Sequence, residues 1–249
     1  MKVYLKPHRV NMNSGGMDVP NKDLRDWIKE LESNGQLQHV SGADHHEEIG
    51  AIVDIHMHKM TNPAVMFDEI PGFPKENRVL ANILTSVPRI NLALGKPVDT
   101  SEIELVNYWR EYMKDQPTHA PVEVNGGPLI ENVFEGDEIN IKTIPAPKWH
   151  ELDGGYFIGT ACMVLLRDPD TGWINYGAYR VQSHDAKTAS VMVSKGKHGD
   201  ILMRKYFDRG EPCPIAVVAG MHPALFMVAG LEMPYGKNEY DCAGGIIGE

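Results

Sequence analysis

The stretch that most constrains the fold is YFIGTACMVLLRDPDTGWINYGAYRV, in which two apolar β-like runs flank the polar turn Asp168–Gly172. Pro and Gly between two such runs signal a hairpin, so the runs are expected to pair antiparallel. Shorter β-like runs lie on either side: PVEV (121–124), INIKTIP (139–145), ASVMVSK (189–195) and a strand expected to be buried, PIAVVAG (214–220). Strands at this spacing suggest an antiparallel barrel or sandwich. A helix is expected over Asp200–Arg209, closed by Gly210, followed by the small-residue segment HPALFMVAGLEMPYG.

The first half reads differently. Leu24, Trp27, Ile28 and Leu31 recur at helical spacing, with Asn21 as a possible cap and Gly35 as the stop. A second helix is expected from about His45 to Met60, with Ile49, Ile52, Val53 and Met60 on its buried side, and a third over Glu102–Met113. AVMFDEIPGFP reads as a short buried strand ended by the Pro71-Gly72 turn, and RVLANILTS as another apolar segment, which gives an alternating α/β layer. Residues 1–20 are polar and aperiodic, an arm rather than a core element.

With 42% hydrophobic and 23% charged residues, the 249-residue chain can bury a substantial core. Its formal charge of −10 argues against nucleic acid or an acidic membrane surface as partner, because such surfaces need clustered Lys and Arg. Cys162, Cys213 and Cys242 are odd in number and in no C-x-x-C pair, which suits free thiols in a reducing compartment. No apolar run approaches a membrane span, and the start has no secretory h-region, so a cytoplasmic location is expected.

Asn175 and Arg180 are polar groups in an otherwise strand-like run, an odd number apart and so on opposite faces of a regular ribbon. They can serve one site only if the strand breaks between them, and Gly177 is where a bulge costs least. In SKGKHGD, His198 and the glycines stand just before the Asp200 helix, where free N–H groups and the helix dipole favour a phosphate, though the P-loop pattern is absent. Glu239 and Asp241 are expected in the glycine-rich loop YGKNEYDCAGG. Together Asn175, His198 and Glu239 offer two oxygens and a nitrogen, a set for Mg²⁺ or Mn²⁺ rather than thiolate-bound zinc. Each also has a plainer reading: a ladder-edge amide, a helix-start residue and a solvated loop acid.

The segments PAPKWHELDGGYFIGTACMVLLRDPDTGWINYGAYRVQSHD, KGKHGD, KYFDRGEPCPIAVVAG, PALFMVAG and MPYGKNEYDCAGGIIGE resemble the UbiD family of reversible decarboxylases that use prenylated FMN. The most specific parts are N-x-G-x-Y-R, Asn175 to Arg180, and E-x-D, Glu239 to Asp241.

The resemblance implies an α+β fold: a small N-terminal α/β layer over 20–115, then an antiparallel split β-barrel over 116–249 that binds flavin and metal. It implies a divalent ion, Mn²⁺ or Mg²⁺, held by Asn175, His198 and Glu239 against the flavin phosphate, with K⁺ often nearby. Tyr176, Ala178, Tyr179, Met192, Val193, Ser194 and Lys197 fall where the family wraps the cofactor, and Arg180 where it orients the substrate carboxylate. The implied activity is non-oxidative, reversible loss of CO₂ from an aromatic or α,β-unsaturated acid through a covalent adduct with prenylated FMN. Relatives place the proton-donor carboxylate and a further C-terminal α/β domain, often oligomerising, beyond the equivalent of Glu249. This chain is therefore expected to be a piece of such an enzyme, or to take the rest from a partner, with homo-oligomers forming through residues beyond it. The rival expectation is a split-barrel flavin or phosphate binder without catalysis.

Three features invite other readings. DHHEEIGAIVDIHMH carries four histidines, but His56 and His58 are two apart on a helix and cannot share a zinc ion as an i, i+4 pair does. The methionines Met57, Met60, Met66, Met221, Met227 and Met233 read as core filler. HELDGG (150–155) fits either a substrate contact or a loop entering a strand.

Overall fold

The computed structural model describes residues 2–4, 23–115 and 118–248. The proposed cap Asn21 and most of the expected arm lie outside them, as does Glu249. Within the arm, β1 (Lys2–Tyr4) is a strand.

Helix α1 (Leu24–Ser33) starts at Asp23, whose carboxylate accepts from the N–H groups of Arg25 (2.8 Å) and Asp26 (3.2 Å). That satisfies two of the donors that a helix start leaves open. Its apolar stripe, Trp27, Ile28 and Leu31, is buried against one face of a three-stranded sheet. In that sheet β2 (Leu37–Ser41) runs parallel to β3 (Ala64–Asp68), and β4 (Val79–Ala81) pairs antiparallel on the other side. The central strand is covered on both faces, which explains its unbroken apolar run: Met66 packs with Trp27, while Val65 and Phe67 pack with Ile49 and Val53 of α2 (Glu48–Met57). Helix α2 is shorter than expected. Its N-cap Glu47 has φ 73°, and His46 bridges to Lys148, so the chain before Glu48 is already committed elsewhere. Met57 and Met60 are exposed rather than packed, whereas Met66, Met221 and Met233 are core residues.

Helices α3 (Val87–Ala93) and α4 (Glu102–Asp115) follow. The buried guanidinium of Arg89 donates to the carbonyls of Asn82 and Asn62 and to Thr85 Oγ1, and burial lowers its pKa to about 10. Helix α4 reaches into the second half of the chain: Leu105 and Tyr112 join its core, and Tyr112 donates to the Cys242 carbonyl at 2.7 Å.

The segment expected as PVEV forms no strand, and INIKTIP contains a single 3-10 turn at Ile141–Thr143. Strand β5 (Val133–Glu135) pairs with β1. The long runs of the hairpin are each broken in two: β6 (Tyr156–Gly159) and β7 (Cys162–Arg167), then β8 (Ile174–Gly177) and β9 (Arg180–Ser183). With β10 (Ala189–Met192) and β11 (Ile215–Ala219) they form two antiparallel sheets, ordered β11-β7-β8 and β10-β9-β6. Helices α5 (His198–Phe207), α6 (Pro223–Ala229) and α7 (Glu239–Ile247) contribute to the core around Val164, Leu166 and Tyr176. Strand β11 departs from expectation: Ile215 is 44% and Val217 39% exposed, with no element among the described residues covering them, and among those residues β11 is an edge strand paired to β7. All three cysteines are free.

The β7–β8 turn is held by Asp168, which is 2% exposed and accepts from the Asp170 N–H (2.9 Å) and from Lys205 Nζ of α5 (2.7 Å). Burial alone would raise its pKa, but the Lys205 and backbone hydrogen bonds prevail and hold it at about 2. A depressed carboxyl pKa contributes stability above the unfolded value of 3.8 that is lost as pH falls through about 2. The urea midpoint of Asp168→Asn is therefore expected below wild type at neutral pH, with the gap closing between these two values. A gap that stays constant into acid would contradict this role.

Candidate cofactor and metal site

The break that the Asn175–Arg180 spacing calls for falls at Ala178 and Tyr179, where the chain leaves the β11-β7-β8 sheet for the β10-β9-β6 sheet. Gly177 is required here by close approach rather than by a positive φ: a Cβ on it would lie 2.8 Å from the Tyr179 ring. Gly199, at the start of α5, faces the same ring, and its Cβ would lie 2.9 Å from the Tyr179 hydroxyl. The Gly199 N–H donates to that hydroxyl at 3.2 Å. Tyr179 thus wedges between two glycines and pins α5 to the strand break.

Asn175 (3% exposed) and Glu239 (2% exposed) meet inside the protein, the amide Nδ2 donating to Glu239 Oε1 at 2.6 Å. Glu239 is not in a loop, as the glycines had suggested, but opens α7 behind the N-cap Asn238. The Tyr176 hydroxyl donates to the Glu239 carbonyl at 3.1 Å. The side chain of Tyr176 is thus core, where burial pushes its phenol pKa up, and only its backbone is left to face a cofactor. The other oxygens of the pair, Asn175 Oδ1 and Glu239 Oε2, are buried with no partner among the described residues. Burial raises the Glu239 pKa, opposed by the bond from Asn175. An orphaned buried acceptor costs about 1–3 kcal/mol, more if charged. Two adjacent orphaned acceptors with no donor are what a cation would satisfy, and oxygen donors suit a hard one.

His198 opens α5 and lies against Trp173 (5.6 Å between ring centroids) and Tyr235 (5.3 Å). Trp173 precedes Asn175 by two residues, and its indole N–H donates to the carbonyl of Lys237, two before Glu239, at 3.2 Å. The structure therefore joins Asn175 directly to Glu239 and sets His198 against the neighbour of both. Among the described residues no group of three His, Cys, Asp or Glu side chains is placed to hold a metal, so a site here draws on the amide as well. The histidines of α2 are otherwise engaged: His56 has ring nitrogens 2.8 Å from the Ile52 carbonyl and 3.0 Å from Gln38 Oε1, and His58 Nδ1 lies 2.7 Å from the Asp54 carbonyl.

The phosphate reading of SKGKHGD keeps only part of its donor set. Three of its N–H groups are taken within the protein: Gly196 donates to Asp200 Oδ2 (2.8 Å), Lys197 to the Ser194 carbonyl (3.2 Å) and Gly199 to Tyr179. Those three amides are therefore not free to meet an anion. Lys197 Nζ lies 3.1 Å from Glu232, and Ser194 and Lys197 are exposed. Ala178 donates its N–H to the Ala229 carbonyl at 3.1 Å. Met192, exposed, is the register partner of Arg180 across β10 and β9, with Val193 just beyond. Arg180 is exposed, its guanidinium carbon 5.8 Å from the Phe157 ring centroid, and has no carboxylate partner among the described residues. In HELDGG, Asp153 accepts from the N–H groups of Trp149 and His150, the loop reading. Sequence reasoning missed Trp173, Tyr235 and Phe157 as neighbours of the site, and no spacing signal could have revealed them.

Fold and site together define a protein with two buried, unpartnered oxygens, those of Asn175 and Glu239, beside a strand that switches sheets. Residues 121–249 match the family described as the 3-octaprenyl-4-hydroxybenzoate carboxy-lyase Rift-related domain, and residues 28–109 its N-terminal domain. The chain belongs to the UbiD family. It is 29% identical over 235 residues to the pyrrole-2-carboxylic acid decarboxylase of Pseudomonas aeruginosa, covering 91% of this chain and 47% of that one. The closed form of the Sedimentibacter hydroxybenzoicus vanillic acid decarboxylase superposes with a TM-score of 0.82 at 26% identity, covering 92% of this chain and 49% of that one. The UbiD-class enzyme HmfF of Pelotomaculum thermopropionicum, solved in complex with FMN, shares the fold (TM-score 0.74, 23% identity, 90% of this chain, 48% of that one). The chain spans about half the length of these proteins.

Tyr176→Phe is expected to lower stability by about 1 kcal/mol in urea unfolding, the net worth of one hydrogen bond. An unchanged midpoint would show that the Tyr176 hydroxyl does not hold the start of α7.

Proposed function

We propose that this chain supplies the cofactor- and metal-binding part of a UbiD-type carboxy-lyase acting reversibly on an aromatic or α,β-unsaturated carboxylic acid. The observation that carries the reading is the buried Asn175–Glu239 contact, which leaves one oxygen of each side chain without a partner among the described residues. Residues 20–115 are read as an N-terminal α/β domain and 116–249 as a split barrel that holds prenylated FMN, with Mn²⁺ or Mg²⁺ on Asn175, His198 and Glu239 and K⁺ nearby. The FMN bound to the fold relative HmfF supports a flavin. Tyr176, Ala178, Tyr179, Met192, Val193, Ser194 and Lys197 are the residues proposed to line it. Homo-oligomers are proposed by analogy with the related enzymes, and the free thiols suit a cytoplasmic setting.

When bound, prenylated FMN supplies a sink for the electrons left on carbon as CO₂ departs, which no amino-acid side chain can provide. The protein's own part is placement. Arg180 presents a planar fork that matches a carboxylate bidentately, and its exposure leaves that fork open to a ligand. Asn175 and Glu239 fix each other before any ion arrives, so the ion meets a preorganised seat. Tyr179 sets the spacing between Arg180 and the start of α5 by its wedge between Gly177 and Gly199.

A second reading, a flavin or phosphate binder that needs another chain for its acid donor, is favoured by the lack of a carboxylate partner for Arg180 among the described residues. Reconstitution with prenylated FMN and Mn²⁺, followed by ¹³CO₂ exchange into an aromatic acid, separates the two. Exchange supports the enzyme, and flavin retention without exchange supports the binder. Arg180→Ala is expected to cut exchange by at least about 100-fold while flavin retention is kept. Exchange at the wild-type rate would remove Arg180 from the site, and full metal and flavin retention by Asn175→Ala would undo the metal assignment.

A further inference from the structure

The imidazole of His198 makes no hydrogen bond to any described residue; only two aromatic rings fix its plane. Trp173 meets it at 5.6 Å with the planes 69° apart, and Tyr235 at 5.3 Å and 87°, both edge-to-face. The two rings also touch each other at 4.9 Å, so the three form a closed cluster. Each clamping ring is tethered at its polar end, Trp173 to the Lys237 carbonyl at 3.2 Å and Tyr235 to Asp168 Oδ2 at 3.3 Å. Asp168 is bonded in turn to Lys205, on the same helix as His198, at 2.7 Å. Helix α5 is thereby held at its first turn by ring packing and toward its end by an ion pair, both anchored on the β7–β8 hairpin.

A metal-bound imidazole usually has its second N–H held by a carbonyl or carboxylate, and removing that partner weakens metal affinity by about 10–100-fold. No such partner is present here among the described residues. We infer that Trp173 and Tyr235 take that role as positioning residues, locking the His198 ring by edge-to-face packing at the orientation an ion beside Asn175 and Glu239 requires. The geometry fits quadrupole preferences: tilted and perpendicular pairs within about 4.5–7 Å are the favourable arrangement of aromatic rings. The inference rests on the metal reading of His198 given above and extends it to two side chains outside the proposed ligand set.

The test uses the full chain with excess FMN, titrated with Mn²⁺ while free Mn²⁺ is read by electron paramagnetic resonance. Trp173→Leu and Tyr235→Leu are each expected to raise the Mn²⁺ Kd about tenfold, whereas Tyr235→Phe, which keeps the ring, stays within about twofold of wild type. In metal-free protein, the His198 ring protons should be displaced from their free positions by the two ring currents. They should move toward unshifted positions in both leucine variants but not in Tyr235→Phe. Should Trp173→Leu fail to fold by its urea midpoint, the Tyr235→Leu and Tyr235→Phe pair decides alone. If His198→Ala abolishes Mn²⁺ binding but the leucine variants bind as wild type, the clamp is wrong and the metal reading stands. If wild type binds no Mn²⁺, or His198→Ala binds it normally, the metal reading falls and the clamp with it.

Discussion

The contact between the Asn175 amide and the Glu239 carboxylate is the interaction on which the rest of the site depends. It joins a strand to a helix start far away in sequence, and it is made inside the protein, where a single unpaired acceptor costs about 1–3 kcal/mol. The contact uses one oxygen of the carboxylate and the nitrogen of the amide, leaving two oxygens without donors among the described residues. Against a whole-domain stability of roughly 5–15 kcal/mol, two such orphans are a large liability for a fold to carry without a ligand. A divalent ion would reverse the sign of that cost, since it is best bound by the groups that nothing else satisfies.

The surrounding architecture serves to make that contact and keep it. The chain changes sheets between β8 and β9 within two residues, which lets Asn175 point into the protein while Arg180 stands exposed a short distance along the backbone. Tyr179 occupies the space that side chains at Gly177 and Gly199 would fill, and this ties the switch to the start of α5. Tyr176, on the core side of the same strand, holds the backbone of Glu239, while the Tyr112 bond to Cys242 ties α4 of the first half to the same helix. The first half of the chain therefore contributes to the placement of Glu239 although it supplies none of the candidate ligands.

Much of this was legible from local pattern. The stripe Trp27, Ile28 and Leu31 and the turn at Asp168–Gly172 came through because helical period and turn chemistry are local properties. The need for a break between Asn175 and Arg180 followed from the two-residue period of a strand, but its physical reason, the Tyr179 ring over Gly177, is a tertiary contact that spacing does not encode. Glu239 was misplaced because the glycines after it read as a loop, whereas Ala243 and Gly244 are buried in α7, where packing overrides propensity. The exposed face of β11 was misread for a related reason: an apolar run reports a strand, not what covers it. Trp173 and Tyr235 escaped notice since edge-to-face neighbours of a distant histidine leave no periodic trace.

Anomalous diffraction at the manganese edge, from crystals of the chain grown with FMN and Mn²⁺, tests the central claim most directly. The account requires a peak bonded at once to Asn175 Oδ1 and Glu239 Oε2, with the His198 ring turned toward it. A map in which those two oxygens are satisfied by water or protein donors, with manganese absent or seated elsewhere, would contradict it.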